Sequence, residues 1–179
     1  IIDTQTGDIL AVGNGRNGHQ TLGGTNFAYD EPHQPGSTAK PILDYAPAVE
    51  YLSWSTAHLL VDEPIEYDGG SPVYNHDLKY EGELTMQRAL AESRNTTALY
   101  AFKQVSQTVG LDKILYFGQG LGLDDLYANE AEFNQAYALG GWIDGTTPVE
   151  LAGAYAAFGN GGTYNEPKAI DHIEFSTAS

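Results

Sequence analysis

The chain has no cysteine, one methionine and only eight lysine and arginine residues among 179. Without cysteine it can form no disulfide, no thiolate metal site and no cysteine nucleophile, and this fits a protein that works outside the reducing cytosol. The few basic residues face 24 aspartates and glutamates, which gives a formal net charge of −16. A surface this acidic repels phosphate backbones and anionic lipid headgroups, so we expect no nucleic-acid partner.

Long hydrophobic runs are also missing. No stretch of about 18 uncharged apolar residues occurs and no signal-peptide pattern opens the chain, so none of these residues is expected to span a membrane. Hydrophobic residues still make up 41% of the sequence, which is enough for a packed core. The chain opens at Ile1 inside an apparent strand, and no linker divides it. We therefore expect residues 1–179 to be part of one domain, excised from a longer protein.

Turn and helix signals divide the chain into elements. Residues 1–3 and 9–12 are predicted to form a hairpin, with Gly7 supplying the positive φ of its turn. Periodic apolar residues and caps predict helices over 37–51, 84–92, 96–109, 111–117 and 147–158. Pro47 is expected to interrupt the first helix and Gly118 to end the fourth. Connections are predicted over 13–35 and 61–83, and a last strand over 169–175.

Two helix starts carry explicit capping signals. Thr85 is a plausible N-cap for the second helix. For the last helix, Thr147 is predicted as the N-cap, Pro148 as the first helical residue and Glu150 as the partner that completes a capping box.

Ser37 and Lys40 form the first candidate site, within the run PGSTAK at 35–40. Three-residue spacing places both side chains on one helical face. A serine hydroxyl becomes a good nucleophile when a base takes its proton, and a lysine that burial keeps neutral can be that base. The helix N-terminus adds backbone donors that could stabilise an oxyanion. The alternative is a serine N-cap beside a solvated lysine.

The second candidate is Ser93-Arg94-Asn95, a polar break between two predicted helices. Such a break can aim a hydroxyl and a carboxamide into a cleft. The alternative is a helix C-terminus followed by an N-cap, which is the commoner use of serine and asparagine.

Together the two motifs resemble those of penicillin-binding proteins and class A β-lactamases. Further segments resemble the transpeptidase domain of class A, bifunctional penicillin-binding proteins of Gram-positive type. These segments are IDTQTGDILA at 2–11, QPGSTAKP at 34–41, VYN at 73–75, YEG at 80–82, QRALAESRN at 87–95, and PVELA through NGGTY at 148–164.

The sequence departs from the family pattern in two places. None of its five lysines is followed by Thr-Gly or Ser-Gly, so the third family motif is missing. This predicts that the chain holds about two-thirds of the domain and lacks its C-terminal strands. Arg94 stands where class A β-lactamases carry aspartate, and no Glu-x-x-Leu-Asn deacylation motif is evident. Both favour the penicillin-binding proteins.

The resemblance implies an α+β fold like that of serine β-lactamases, with an antiparallel sheet flanked by helices. It implies a D,D-transpeptidase in which Ser37 attacks the penultimate D-Ala carbonyl of a peptidoglycan pentapeptide stem. Lys40 would be the general base, Ser93 would pass a proton to the leaving amine, and Asn95 would hold the substrate amide. β-Lactams would trap Ser37.

The same resemblance sets the expected surroundings of the enzyme. It implies no cofactor and no metal. The location would be the outer face of the bacterial cytoplasmic membrane, with a membrane anchor and a glycosyltransferase domain in an upstream segment that this chain does not contain.

Two other functions remain open from the sequence. The same fold could pass the acyl group to water, as a D,D-carboxypeptidase or β-lactamase, or it could be an inactive sensor module. Outside the two motifs, the five histidines lack metal-ligand spacing, and the pair Asp62-Glu63 is expected on a solvated face.

Overall fold

The computed structural model describes residues 1–13, 24–126 and 132–175. Its α-helices are α1 (Ala46–Leu52), α2 (Met86–Ala91), α3 (Asn95–Val109), α4 (Leu111–Gln119) and α5 (Pro148–Ala156). Its strands are β1 (Leu59–Asp62), β2 (Ile65–Glu66), β3 (Pro72–Val73) and β4 (Gly82–Thr85). Helices combined with small antiparallel sheets confirm the predicted α+β class. No helix in the described residues is long and apolar enough to cross a membrane.

Helix α3 lies at the centre of the fold. It packs against α1, α4 and the 3-10 turn Gln135–Leu139. Its predicted apolar face is fully buried and consists of Ala98, Leu99, Ala101, Phe102 and Val105. Part of this face joins the main core around Tyr137 and Trp142, and part joins a smaller core with Leu60 and Leu84. Because its side chains contact both cores, α3 is held from two sides, and so are the residues at its start. Burial of each large apolar side chain contributes about 1.5–3 kcal/mol.

The helical segment that begins at Gly36 changes its hydrogen-bond spacing twice. It starts as a 3-10 turn (Gly36–Ala39), widens into a π turn (Pro41–Tyr45) and continues as α1. The helical turns continue without a gap through Pro47 to Leu52, so the predicted interruption at Pro47 is not observed. Pro47 is the second residue of α1, where a missing N–H is tolerated.

Both predicted caps are confirmed. Thr85 Oγ1 accepts the Arg88 N–H at 3.3 Å at the start of α2. At the start of α5, Thr147 Oγ1 accepts the Glu150 N–H, and the Glu150 carboxylate accepts the Thr147 N–H at 2.7 Å. This closes a capping box around Pro148.

Gly118 lies inside α4 and does not end it, so that prediction is wrong. A Cβ at Gly118 would overlap Leu126 Cδ1 and lie 3.1 Å from Leu43 Cδ2. The glycine therefore serves the close packing of α4, and the helix continues to Gln119.

The prediction of a connection over 61–83 is also wrong. Strand β1 pairs antiparallel with β4, with Leu60 opposite Leu84, and β2 pairs antiparallel with β3, with Ile65 opposite Val73. Strands β2 and β3 have two residues each, which is too few for an alternating pattern to show in the sequence.

The predicted opening hairpin forms as a turn with one antiparallel bridge, between Ile2 and Ile9. Gly7 has φ +79°, and a Cβ there would lie 2.5 Å from Glu166 O, so glycine is required for both conformation and space. The strand predicted over 169–175 is absent from the described structure. Its residues find no β partner there, and the nearest bridge joins Lys168 to Asp8. An alternating pattern forms a strand only where a neighbour completes its hydrogen bonds.

The connection predicted over 13–35 can be followed in part. Residues 14–23 lie outside the described residues, and residues 24–35 contain no helix or regular strand. One bridge joins His33 to Thr146 and brings this connection beside the start of α5.

Candidate active site

Ser37 lies on the surface in the first turn of its helical segment. The preceding Gly36 has φ +56° and touches Gly140 so closely that a Cβ on Gly140 would overlap Gly36 O. On the other side, Tyr155 Oη donates to Thr38 O at 2.8 Å. The backbone around Ser37 is therefore fixed by two neighbours, while Ser37 Oγ has no hydrogen-bond partner among the described residues.

Lys40 follows Ser37 by one turn and points into the protein. Side chains three residues apart are nearly eclipsed in a 3-10 turn, and the Lys40 N–H donates to Ser37 O. Lys40 is completely buried. Its Nζ lies 2.6 Å from Ser93 O, 3.0 Å from Ser93 Oγ and 2.6 Å from Asn95 Oδ1. The structure therefore brings Lys40, Ser93 and Asn95 into direct contact across 53 to 55 residues of sequence.

Burial changes the acid–base properties of Lys40. Desolvation lowers the pKa of its ammonium group from 10.5 to about 8, and a negative charge on the nearby Asp44 would oppose that shift. With this pKa, about a tenth of the Lys40 side chains carry a free amine at pH 7. An ordinary solvated lysine has far less free amine at the same pH.

The three contacts of Lys40 can also be satisfied by the neutral amine. Ser93 O and Asn95 Oδ1 are acceptors only, so each needs one N–H from Lys40. The third partner, Ser93 Oγ, can either accept or donate. A neutral NH2 group therefore donates twice and directs its lone pair toward the Ser93 hydroxyl, so loss of the proton leaves no partner unsatisfied.

Ser93 has an unusual backbone conformation, with φ +54°. It follows the end of α2, where its N–H donates to Leu90 O and the next N–H, that of Arg94, donates to Ala89 O, both at 3.0 Å. This is the Schellman pattern, in which glycine usually takes the left-handed position. The conformation costs a residue with a Cβ about 1 kcal/mol, and it turns both the carbonyl and the hydroxyl of Ser93 toward Lys40 Nζ.

Asn95 is the first residue of α3 and is oriented from both ends of its carboxamide. Its Oδ1 accepts from Lys40, and its Nδ2 donates to Tyr74 O at 2.8 Å. Its backbone N–H donates to Asn75 Oδ1 at 2.8 Å. The chain just after β3 therefore fixes the second motif.

A buried polar network supports this arrangement, and sequence reasoning missed it. Asp62 was expected on a solvated face, but it is 1% exposed. Its carboxylate accepts hydrogen bonds from Asn75 Nδ2 (2.7 Å), Thr96 Oγ1 (2.5 Å) and Glu81 N (3.0 Å). Asp62 ends β1, and alternation along the Leu59–Asp62 strand would have been the signal that its side chain points inward, on the same face as Leu60.

Arg94, the middle residue of the second motif, completes the network. It is 2% exposed, and its guanidinium group lies 3.2 Å from Asp62 Oδ2, 2.9 Å from Asp77 Oδ1 and 2.5 Å from Glu81 Oε1. The residues on either side of Arg94 are the two that contact Lys40. The buried ion cluster therefore anchors the segment between them.

The sequence of the whole chain matches one protein family. The model of the penicillin binding protein transpeptidase domain matches residues 1–179. The chain belongs to this family. The predicted resemblance is thereby confirmed, and the Ser-x-x-Lys and Ser-x-Asn motifs that carry it are the two segments that meet at Lys40.

Curated relatives place the chain among class A penicillin-binding proteins of Gram-positive bacteria. It is 47% identical over 178 residues to penicillin-binding protein 1A/1B of Bacillus subtilis (strain 168), and 40% identical over 190 residues to penicillin-binding protein 1A of Streptococcus oralis. The alignments cover 98% and 100% of this chain but only 18% and 28% of those proteins.

Solved structures of penicillin-binding proteins share the fold. Penicillin-binding protein 1A from Haemophilus influenzae matches with a TM-score of 0.60 and 32% identity, over 74% of this chain and 19% of that one. The penicillin-binding protein PonA1 from Mycobacterium tuberculosis matches with a TM-score of 0.65 and 20% identity, over 81% of this chain and 38% of that one.

Two cavities in the described structure differ in whether they border the candidate site. A cleft of about 470 Å³ borders the Ser37 turn and is lined by Pro35, Thr38 and Tyr155, among others. A larger cavity of about 610 Å³, lined by Tyr67, Leu111 and their neighbours, contains none of the four predicted site residues. No group of three or more His, Asp or Glu side chains in the described residues could hold a metal ion.

Proposed function

We propose that this chain carries the nucleophile and base of a serine D,D-transpeptidase that cross-links peptidoglycan stem peptides. Residues 1–179 would then form part of one transpeptidase domain. The observation that carries the proposal is the contact of the buried Lys40 Nζ with Ser93 and Asn95, one helical turn from the exposed Ser37.

In the proposed reaction, Ser37 Oγ attacks the penultimate D-Ala carbonyl of a pentapeptide stem. The Ser93 hydroxyl releases the lone pair of the free Lys40 amine, and the Ser37 proton passes to that lone pair. When the peptide bond breaks, the terminal D-Ala amine leaves with a proton delivered through Ser93 Oγ. Asn95 holds the substrate amide. An amine from a second stem then attacks the acyl-enzyme ester and restores Ser37. β-Lactams resemble the D-Ala-D-Ala end and would acylate Ser37 without ready release.

The surroundings of this reaction follow from the relatives and are part of the proposal. The chain spans less than a third of the class A penicillin-binding proteins it matches. We place the activity at the outer face of the bacterial cytoplasmic membrane, in a longer protein that is anchored there and also carries a peptidoglycan glycosyltransferase. The partners would be peptidoglycan stems and β-lactams.

Two alternatives use the same fold. Transfer to water would make the protein a D,D-carboxypeptidase or a β-lactamase. An inactive sensor module would have no reason to keep Lys40 buried with a lowered pKa. The matching family model is described as a transpeptidase domain, which favours the transpeptidase.

Labelling by a fluorescent penicillin tests the proposal. The full-length protein should form a covalent adduct that peptide mapping places on Ser37, and Ser37→Ala should abolish it. The matched control is Ser55→Ala, at another exposed serine, which should label normally. An adduct on another residue, or labelling that survives Ser37→Ala, would refute the assignment. Incubation with stem peptides then distinguishes the two activities. A transpeptidase forms cross-linked product, whereas a hydrolase forms hydrolysed product.

A further inference from the structure

Asp44 is a buried ionisable side chain that the proposed acyl transfer does not use. It lies in the π turn Pro41–Tyr45, is 0% exposed, and neither carboxyl oxygen has a hydrogen-bond partner among the described residues. Buried polar groups are normally paired, and an ionised carboxylate in such a place is strongly disfavoured. The surroundings of Asp44 therefore favour its neutral form.

The nearest cation along the chain does not neutralise Asp44. Lys40 precedes it by four residues, and its charge acts on Asp44. The three contacts of Lys40 Nζ go to Ser93 and Asn95, and no ion pair joins Lys40 to Asp44 in the described structure. The two buried groups are thus close enough to influence each other but are not paired.

Elements packed against the π turn supply no other counter-charge. From the β2–β3 turn, Tyr67 is half-buried, and burial is the main cause that raises its pKa. On α3, Lys103 is bound to Asp68 and Glu66 O. The remaining ionisable groups on these elements are exposed or bonded elsewhere: Glu50 and Tyr51 on α1, Tyr100 on α3, Asp112, Lys113 and Tyr116 on α4, Tyr137 in the 3-10 turn, and Tyr45 in the π turn itself.

We propose that Asp44 is an uncharged carboxylic acid at neutral pH and a positioning residue for Lys40: by withholding a counter-charge, it leaves the buried Lys40 amine free to accept a proton. The effect of Asp44 on Lys40 as a general base rests on the proposed function, whereas the protonation state of Asp44 does not. The pKa of Asp44 agrees with the geometry, since burial raises it well above the ordinary value against the opposing charge of Lys40.

Stability as a function of pH tests the protonation state without any activity assay. Above the ordinary aspartate pKa, about 4, the unfolded chain releases the Asp44 proton while the folded chain keeps it. Wild-type stability therefore falls as pH rises toward the raised pKa of the folded state. Asp44→Asn has the same shape and no proton to lose, so its melting temperature relative to wild type should increase between about pH 4.5 and pH 7.

An ionised Asp44 stabilised by Lys40 would have a lowered pKa and predicts no such increase. The difference in melting temperature would then stay flat above the ordinary aspartate pKa, and the variant would lose stability relative to wild type only as pH rises toward that pKa from below. Asp112→Asn, at an exposed position of α4, corrects for the general effect of removing a carboxylate. If Asp44→Asn does not fold, Asp44→Leu replaces the unpaired group by an apolar one with the same branching and number of heavy atoms, and it carries the same expectation.

The pH profile of penicillin acylation tests the effect on Lys40. If Asp44 is neutral, the acylation rate of the Asp44→Asn variant should fall at the same acidic pH as that of the wild type. A counter-ion would have raised the pKa of Lys40, so its removal would shift that limb by about one unit or more to lower pH, and that result overturns the proposal. If neither protein is acylated, the proposed function fails, while the melting experiment still decides the state of Asp44.

Discussion

Replacing Arg94 with methionine keeps an unbranched apolar stem and removes the charge at the centre of the buried ion cluster. The side chain of Asp62 is 0% exposed, so its carboxylate cannot regain from water what it loses from Arg94. Asp77 and Glu81 are 32% and 33% exposed and can be hydrated. Removing one partner of a buried ion pair costs about 3–5 kcal/mol. Because Asp62 keeps three other hydrogen bonds, we expect a loss near the lower end, about 3 kcal/mol.

Urea unfolding followed by circular dichroism measures this loss. The control is Arg88→Met, which removes an arginine that is 58% exposed and bound to Glu81 and Glu92. Exposed pairs contribute about 0.2–1 kcal/mol. Adding Asp62→Asn to Arg94→Met should recover part of the loss, since no charge then remains buried without a partner. Equal costs for the two arginine variants, or no recovery in the double variant, would refute the reasoning.

Three further outcomes are expected. Lys40→Arg should abolish penicillin labelling as fully as Lys40→Ala, because a guanidinium group does not release its proton near neutral pH; labelling at the wild-type rate would show that the base lies elsewhere. With the pKa of Lys40 at about 8, the acylation rate should rise about tenfold per pH unit below that value and level off above it; a flat rate from pH 6 to 8 contradicts this. Gly140→Ala should abolish labelling or folding, since its Cβ would overlap Gly36, whereas Gly161→Ala, with similar φ (+79°) but open space, should cost only about 1 kcal/mol by denaturant unfolding.

Local signals predicted a large part of the fold. The caps at Thr85 and Thr147 depend on residues within one turn of each other, so sequence spacing was enough to find them. The turn at Gly7 was found in the same way. Gly118 was misjudged because its role depends on Leu126 and Leu43, and a contact distant in sequence leaves no local pattern.

The candidate site also contains residues that a local motif predicts and residues that only tertiary contacts reveal. Ser37 and Lys40 are one turn apart, and their motif is readable by itself. The support given to Ser93 and Asn95 by Asp62 and Asn75 comes from positions 18 to 33 residues away, with no shared motif. An isolated aspartate or asparagine is most often a solvated or turn residue, so only the tertiary structure reveals this support.

The left-handed backbone of Ser93 has a consequence for laboratory evolution. Glycine at this position would remove the conformational strain of about 1 kcal/mol, and one nucleotide separates some serine codons from glycine codons. The same substitution would remove the hydroxyl that lies 3.0 Å from Lys40 Nζ. A library selected only for heat resistance should therefore enrich Ser93→Gly and lose acylation with it. A library selected for cells whose survival depends on this protein in cell-wall synthesis should retain the serine. The residue found at position 93 therefore shows which selection was applied.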